Sequence, residues 1–90
     1  MPQLTWHGHS CFLIEHAGAR VIIDPFLTGN PKAVIGTVDL PKLDAILVTH
    51  GHGDHLGDAI PLAQSHQATL IAPYELARYC IEQGAPVVHP

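Results

Sequence analysis

The chain has 90 residues, a net charge of −4 at pH 7 and only four basic side chains. A chain of this length can form one domain, and about 60–65% of its unfolded surface would be buried on folding. So few basic residues give no footprint for nucleic acid or for an anionic membrane surface. The sequence also contains no apolar stretch approaching a transmembrane helix and no leader-like start, so we expect a cytoplasmic protein without a membrane partner.

Short strands are predicted at the start of the chain. Residues 3–7 and 11–16 flank a turn at Gly8-His9-Ser10, and residues 21–24 follow a second turn. This arrangement predicts an antiparallel meander. Residues 25–41 are rich in Gly, Pro, Asn and Thr, which predicts a loop that would border the site in an enzyme.

Strands and helices alternate in the second half. Residues 45–49 form a continuous, largely apolar run, which is typical of a strand covered on both faces. Open α/β sheets place their ligand sites at the carboxyl ends of such strands. A helix is predicted from Asp58, its N-cap, to about residue 66. The remaining predicted elements are a strand at 69–72, a helix at 73–83 that stops at Gly84, and a strand at 86–89.

The hexapeptide His-Gly-His-Gly-Asp-His directly follows the predicted strand at 45–49 and offers four potential metal ligands, His50, His52, Asp54 and His55. Imidazole and carboxylate groups bind Zn²⁺, Mn²⁺ and Fe²⁺, and the glycines let the loop turn tightly. His50 and His52 are two residues apart on an extended segment, so they can share one ion, whereas Asp54 and His55 turn toward a second.

Two ions roughly 3.5–4 Å apart would clamp a bridging water or hydroxide and activate it for attack. The motif therefore predicts hydrolytic chemistry, with Asp54 as both a ligand and the group that orients the nucleophile. The alternative is a histidine-rich loop that binds no metal, since the chain contains eight histidines.

Residues 49–58, Thr-His-Gly-His-Gly-Asp-His-Leu-Gly-Asp, resemble the His-x-His-x-Asp-His signature of the metallo-β-lactamase fold superfamily. The segments Trp-His-Gly-His-Ser-Cys-Phe at 6–12 and Ile-Ile-Asp-Pro-Phe-Leu at 22–27 are similar to the bacterial and archaeal metal-dependent hydrolases related to ascorbate-6-phosphate lactonases. The resemblance covers nearly the whole chain. It implies an α+β fold, the N-terminal half of an αββα sandwich, with a mostly antiparallel mixed sheet and helices on one face.

Family members are more than twice as long as this chain. In the superfamily, one metal takes the histidines matching His50 and His52 plus a later histidine, and the second takes Asp54, His55 and a later histidine. Residues 1–90 are therefore expected to form a single truncated domain, a fragment or a shortened gene product; the alternative is that a partner chain supplies the missing ligands. We expect an uncovered sheet face that favours self-association or pairing. Residues expected on that face are Val21, Ile23, Ile46, Val48 and Leu70.

Three further residues are candidates for lining the site or orienting its ligands. His9 lies in a glycine-bounded turn that the resemblance places near the metals; the alternative is a turn-stabilising role. Asp24 ends a strand and either orients a histidine ligand through its free ring nitrogen or caps the following turn. Asp58 is the predicted helix N-cap and, three residues after His55, also a candidate for orienting a ligand.

The other histidines and both cysteines have separate predictions. His7, two residues before His9, and His89, at the end of the last predicted strand, are further candidates for the site, and His16 and His66 are predicted to be solvated at element ends. Cys11 and Cys80 are predicted to be reduced core thiols, since the chain shows no signal peptide.

The sequence therefore predicts a metal-dependent hydrolase that acts on a small-molecule ester, lactone or phosphoester with two divalent ions. Zn²⁺ is favoured, and Mn²⁺ and Fe²⁺ are compatible with the same ligands. The alternative is a non-catalytic metal-binding or assembly fragment that lacks the second half of an active site.

Overall fold

The structure is a computed structural model that describes residues 2–33 and 35–89. Met1, Pro90 and Val34, which falls in the predicted loop at 25–41, lie outside the described residues. Six strands form one sheet in chain order: β1 (Gln3–Trp6), β2 (Phe12–His16), β3 (Ala19–Ile23), β4 (Ala45–Leu47), β5 (Thr69–Ile71) and β6 (Val87–His89). The helices are α1 (Gly53–Leu56), α2 (Ala59–His66) and α3 (Tyr74–Glu82), and a 3₁₀ turn spans Thr37–Asp39.

The sheet is mixed, and the α+β class is confirmed. The antiparallel meander β1–β2–β3 is also confirmed, but β3–β4, β4–β5 and β5–β6 are all parallel. The expectation of a mostly antiparallel sheet was therefore wrong. The strands β3 to β6 are parallel because of how they are connected. The long loop after β3 and the helices α2 and α3 each return the chain to the same end of the sheet, so the next strand runs in the same direction.

One face of the sheet is covered by helices, as expected. Leu13, Ile22, Ile46 and Leu70 are aligned across β2 to β5 and are at most 4% exposed. They form one core cluster with apolar side chains of α2 and α3, among them Leu62, Ala63, Ala77 and Cys80. Burying this row drives the helices onto the sheet, because apolar area removed from water contributes roughly 25 cal/mol per Å².

The opposite face is open and apolar. The row that pairs Leu4, Ile14, Val21, Ala45, Thr69 and Val87 lies on it, as does the row that ends in Ile71 and His89. Leu4 is 63% and Val87 45% exposed. Val21 and Ile23 lie on this face as expected, but Ile46, Val48 and Leu70 do not. Those three are buried in the helix-covered core, because Ile46 pairs with Ile22 rather than with Val21.

The loop after β3 is attached to the segment between α1 and α2. Gly57 ends α1 with φ 46° and ψ −120°, and a Cβ built there would lie 2.6 Å from both Pro25 O and Phe26 Cα. Only glycine therefore permits this close approach of the two backbones. The contact places the loop beside the helix turn that carries Asp54 and His55. None of the helices in the described parts of the chain has the length and apolar character needed to cross a membrane.

Candidate metal centre

The histidine-rich hexapeptide begins where β4 has ended, at the carboxyl end of a parallel strand. The strand stops at Leu47, and α1 begins at Gly53 with His52 as its N-cap residue. This four-residue helix was not predicted. It turns the chain within the motif, so that the ring of His50 lies 4.7 Å from the ring of His52 and 3.9 Å from that of His55, measured between ring centroids. Three of the four predicted ligands are thus gathered at one place.

The fourth predicted ligand, Asp54, contacts His9, which lies near the N-terminus. Its Oδ2 atom lies 3.1 Å from His9 Nε2, and its Oδ1 atom lies 3.9 Å from His55 Nε2. One ligand atom from each of His9, Asp54 and His55 falls within 4.8 Å of the others. Two imidazoles and a carboxylate are donor types that suit a divalent transition metal.

His9 reaches Asp54 because of the tight turn between β1 and β2. Gly8 has φ 102° there, and an added Cβ would lie 2.7 Å from Lys32 Cβ, so the turn requires glycine at this position. The indole Nε1–H of Trp6 donates a hydrogen bond to the carbonyl of His9 at 2.8 Å. The ring of Phe26 packs edge-on against the His9 imidazole, with 5.8 Å between the ring centroids.

Asp24 is buried at the carboxyl end of β3 and connects the parts of the site. Its Oδ2 atom lies 2.7 Å from His55 Nδ1 and 2.7 Å from Thr49 Oγ1, and its Oδ1 atom accepts the Thr49 backbone N–H at 2.7 Å. An ionised carboxylate only accepts hydrogen bonds, so the His55 Nδ1–H donates to it. The free Nε2 of His55 then faces Asp54, the orientation expected of a ligand held by a carboxylate.

Asp58 occupies the predicted N-cap position of α2, but its side chain does not cap that helix. Its Oδ2 atom instead accepts the backbone N–H groups of Leu27 at 3.0 Å and Thr28 at 2.8 Å. The N-cap prediction is corrected in this respect, because the carboxylate of Asp58 accepts from these two loop amides and not from the first turn of α2. Asp58 thus fixes the loop beside the site and makes none of the hydrogen bonds to His55.

The remaining histidines occupy different environments. His16 is exposed at the end of β2, whereas His66 is not simply solvated, since its Nδ1 accepts the Leu43 N–H at 3.1 Å. His89 ends β6 on the open face. His7 is 9% exposed, its Nε2 has no hydrogen-bond partner among the described residues, and burial lowers its pKa.

Both cysteines are free and buried, as predicted. Burial raises the pKa of Cys11 to about 11, with a further contribution from the negative charges of Asp24 and Asp58. Burial also raises the pKa of Cys80. A thiol needs its thiolate form to act as a nucleophile, and burial disfavours that form in both cysteines.

Two residues at the site were missed by sequence reasoning. Thr49 contacts both Asp24 and His50 Nδ1, the latter at 3.1 Å, and Phe26 packs against His9. The position of Thr49 directly before the first histidine was the available signal for it. Nothing in the local pattern around Phe26 indicates its contact.

A family model for the metallo-β-lactamase superfamily matches residues 4–87. A UPF0173 metal-dependent hydrolase from Desulforamulus reducens is 54% identical over 89 residues, covering 98% of this chain and 37% of that protein. Another from Bacillus cereus is 50% identical over 88 residues, covering 98% and 38% respectively. The chain thus spans little more than a third of the length of these curated relatives.

Solved structures show the same fold. Igni18, a metallo hydrolase from the archaeon Ignicoccus hospitalis, superposes with a TM-score of 0.89 at 31% identity, covering 98% of this chain and 38% of that one. CmlA, a diiron β-hydroxylase from Streptomyces venezuelae, superposes with a TM-score of 0.75 at 26% identity, covering 98% and 20%. The arrangement of strands and helices is therefore shared by proteins described with different metal-dependent reactions.

Proposed function

The chain belongs to the metallo-β-lactamase superfamily, and we propose that it supplies part of the active site of a metal-dependent hydrolase. The substrate class that we propose is a small-molecule ester, lactone or phosphoester. The observation that carries the proposal is that one ligand atom from each of His9, Asp54 and His55 lies within 4.8 Å of the others. This cluster is on the side of the His55 ring that faces away from Asp24.

The donor set of the described residues fits divalent metal binding. We assign Asp54 and His55 to one ion, with His9 as a third donor, and His50 and His52 to a second ion. Catalytic zinc sites use three protein ligands as a rule, so the pair His50 and His52 needs a further donor. The relatives extend well beyond the length matched here, which leaves room for such a donor. Zinc is the metal that we propose first, and the similarity to a diiron protein supports iron as an alternative.

The residues of this chain have separate roles in the proposed reaction. When bound, divalent ions polarise the bond to be cleaved and lower the pKa of a water ligand toward neutrality. Asp54, whose side chain is 47% exposed, is accessible to both substrate and water and orients the attacking water. Asp24 holds His55 in a single ring orientation. Phe26 gives the side of the site next to His9 an apolar wall.

Metal binding is tested first on the 90-residue chain. After dialysis against trace Zn²⁺, elemental analysis should find at least one ion per chain, and the ion content should fall in His50→Ala/His52→Ala and in His55→Ala. His16→Ala is the matched control, because His16 is an exposed histidine at a strand end. A stoichiometry near zero in a chain with its normal circular dichroism spectrum would contradict the proposal.

Hydrolysis is tested with the longest protein encoded by the gene that carries this sequence. A panel of a phosphodiester, a lactone and a carboxylic ester should reveal turnover that requires added metal and disappears in His55→Ala. The 90-residue chain alone is the reference, and we expect it to bind zinc more weakly than the longer protein and to show no turnover above background. Absence of metal-dependent turnover of every substrate class by the longer protein would contradict the hydrolase proposal.

A second candidate function is a non-catalytic metal-binding or assembly module. The open sheet face favours it, because exposed Leu4, Trp6 and Val87 form part of an apolar surface that monomeric proteins rarely leave uncovered. Metal binding without turnover in the longer protein would support this function. A stable complex with a second chain, measured by light scattering, would support the assembly role.

A further inference from the structure

We infer that Thr49 is a positioning residue that fixes which ring nitrogen of His50 is free to bind a metal. This inference rests on the proposed metal site and adds to it a residue that makes no contact with substrate or metal itself. It follows from three hydrogen bonds to the buried carboxylate of Asp24 and from one contact between Thr49 and His50.

The hydroxyl group of Thr49 has a single proton to donate. Thr49 Oγ1 lies 2.7 Å from Asp24 Oδ2 and 3.1 Å from His50 Nδ1. A carboxylate can only accept, so the hydroxyl proton is donated to Asp24 and is not available for His50. The hydroxyl oxygen can then only accept from His50, which requires the proton of the neutral imidazole to be on Nδ1. The lone pair of His50 is thereby left on Nε2.

The same carboxylate acts on a second histidine directly. Asp24 Oδ2 also accepts from His55 Nδ1 at 2.7 Å, which leaves Nε2 of His55 free as well. Asp24 thus fixes the tautomer of His55 directly and the tautomer of His50 indirectly, through Thr49. The two ring centroids lie 3.9 Å apart, so the shared tautomer leaves Nε2 free in two neighbouring histidines. Partners that orient a ligand in this way commonly change metal affinity by 10–100-fold when they are removed.

The position of Thr49 explains why its hydroxyl can make both contacts. Its backbone N–H donates a hydrogen bond to Asp24 Oδ1 at 2.7 Å, which fixes the backbone of Thr49 just after β4 independently of its side chain. A β-branched side chain has few χ1 rotamers, which limits the loss of entropy on fixing the hydroxyl. Valine keeps this shape and the backbone contact and removes only the hydroxyl, whereas serine keeps the hydroxyl.

The test measures ring tautomers in the metal-free chain by long-range ¹H–¹⁵N NMR, at a pH where the imidazoles are neutral. In the unmodified chain and in Thr49→Ser, both His50 and His55 should show the Nδ1–H pattern. In Thr49→Val, His50 should lose this pattern while His55 keeps it, and the His55 signal also reports that the site is still folded. Thr69→Val is the matched control, since Thr69 is a strand threonine at the level of Ala45, at the other end of β4.

Zinc affinity, measured on the same variants, should fall by about 10–100-fold in Thr49→Val and be restored in Thr49→Ser. Persistence of the Nδ1–H pattern of His50 in Thr49→Val would overturn the inference. If His50 and His55 of the unmodified chain both show the Nδ1–H pattern but the chain binds no zinc, the proposed metal site would be overturned. The role of Thr49 in fixing the tautomer of His50 would still be supported.

Discussion

The Nδ1 atom of His55 lies 2.7 Å from the Oδ2 atom of Asp24, although the two residues are 31 positions apart in the sequence. This contact joins the end of β3 to α1 and is almost fully shielded from water on the Asp24 side, where the side chain is 3% exposed. A hydrogen bond between a carboxylate and an imidazole in such an environment restricts the ring to one orientation. The orientation of His55 is therefore set by a residue at the end of β3, not by the short helix α1 that carries His55.

Asp24→Asn should weaken both the fold and the metal site. The amide has one acceptor oxygen in place of two, so at least one of the three donors from Thr49 and His55 loses its partner, at a cost of about 1–3 kcal/mol. Asparagine tolerates the positive φ of 46° at this position, so the backbone is retained. We expect a lower free energy of unfolding in urea and a zinc affinity reduced by about 10–100-fold. Asp39→Asn, at an exposed carboxylate, is the control; equal zinc affinity in the two variants would show that Asp24 does not orient a ligand.

The strands and the donor-rich hexapeptide could be predicted from the sequence because both are local. Apolar runs bounded by turn residues marked β1 to β6 to within a few residues, and the ligands are contiguous at 50–55. The four-residue helix α1 was not predicted, since a segment this short has no apolar periodicity. The direction of β4, β5 and β6 was also not predictable from their own residues, because it depends on the connections between them.

Contacts between distant residues could not be obtained from the pattern. Asp54 reaches His9 only because the register of the sheet brings the β1–β2 turn beside the end of β4. Asp58 illustrates a conflict between local and distant partners. Its position favours a helix N-cap, but the amides of Leu27 and Thr28 take its carboxylate. Asp58 therefore fixes the loop after β3, a role that the preference of aspartate for helix N-caps does not indicate.

Gly57→Ala should destabilise the chain much more than Gly53→Ala. Alanine at residue 57 would have φ 46° and a Cβ 2.6 Å from Pro25 O, whereas a Cβ at residue 53 meets no atom within 4 Å. Positive-φ strain alone costs on the order of 1–3 kcal/mol, and displacement of the adjoining loop adds to it. Urea unfolding of both variants measures the difference. Gly18→Ala, which has positive φ and open space, separates the strain from the clash; equal effects of all three substitutions would contradict the close approach.

Stability should fall as the pH rises above about 9, in part because of Cys80. Burial raises the pKa of this thiol above its ordinary value of 9.0. In the unfolded chain the thiol ionises near pH 9, while in the folded chain it stays protonated to higher pH. The folded state then holds more protons, so the free energy of unfolding decreases with pH, by at most about 1.4 kcal/mol per pH unit for one group. Urea titrations from neutral pH upward should show a shallower decline in Cys80→Ala; identical slopes would exclude a contribution from this thiol.

Asp54→Ala should affect turnover more than binding of the first ion. We assign Asp54 to the ion shared with His55 and to orientation of the attacking water, so its loss leaves His50 and His52 intact. In a form of the protein with a complete ligand set, kcat should fall by about 100-fold or more. Metal content should remain at one or more ions per chain. Asp39→Ala is the control, and near-normal turnover in Asp54→Ala would show that another group orients the water.

The 90-residue chain should self-associate through its open sheet face. Leu4 and Val87 lie in one cross-strand row and are 63% and 45% exposed, at opposite edges of the sheet. Burial of such a surface against a second copy removes apolar area from water, and a chain of 90 residues has little stability to spare without it. Light scattering after size exclusion should show a mass that increases with protein concentration.

Leu4→Glu/Val87→Glu should reduce this association, because two carboxylates would have to be desolvated in the contact. Val38→Glu is the matched control, since Val38 is an apolar residue that is 92% exposed but lies on the 3₁₀ turn and not on the sheet. A monomeric mass for the unmodified chain at every concentration would contradict the prediction. Association that persists unchanged in the double variant would show that the contact lies elsewhere, for example at the edge strands β1 and β6, whose unpaired backbone groups can also pair with another chain.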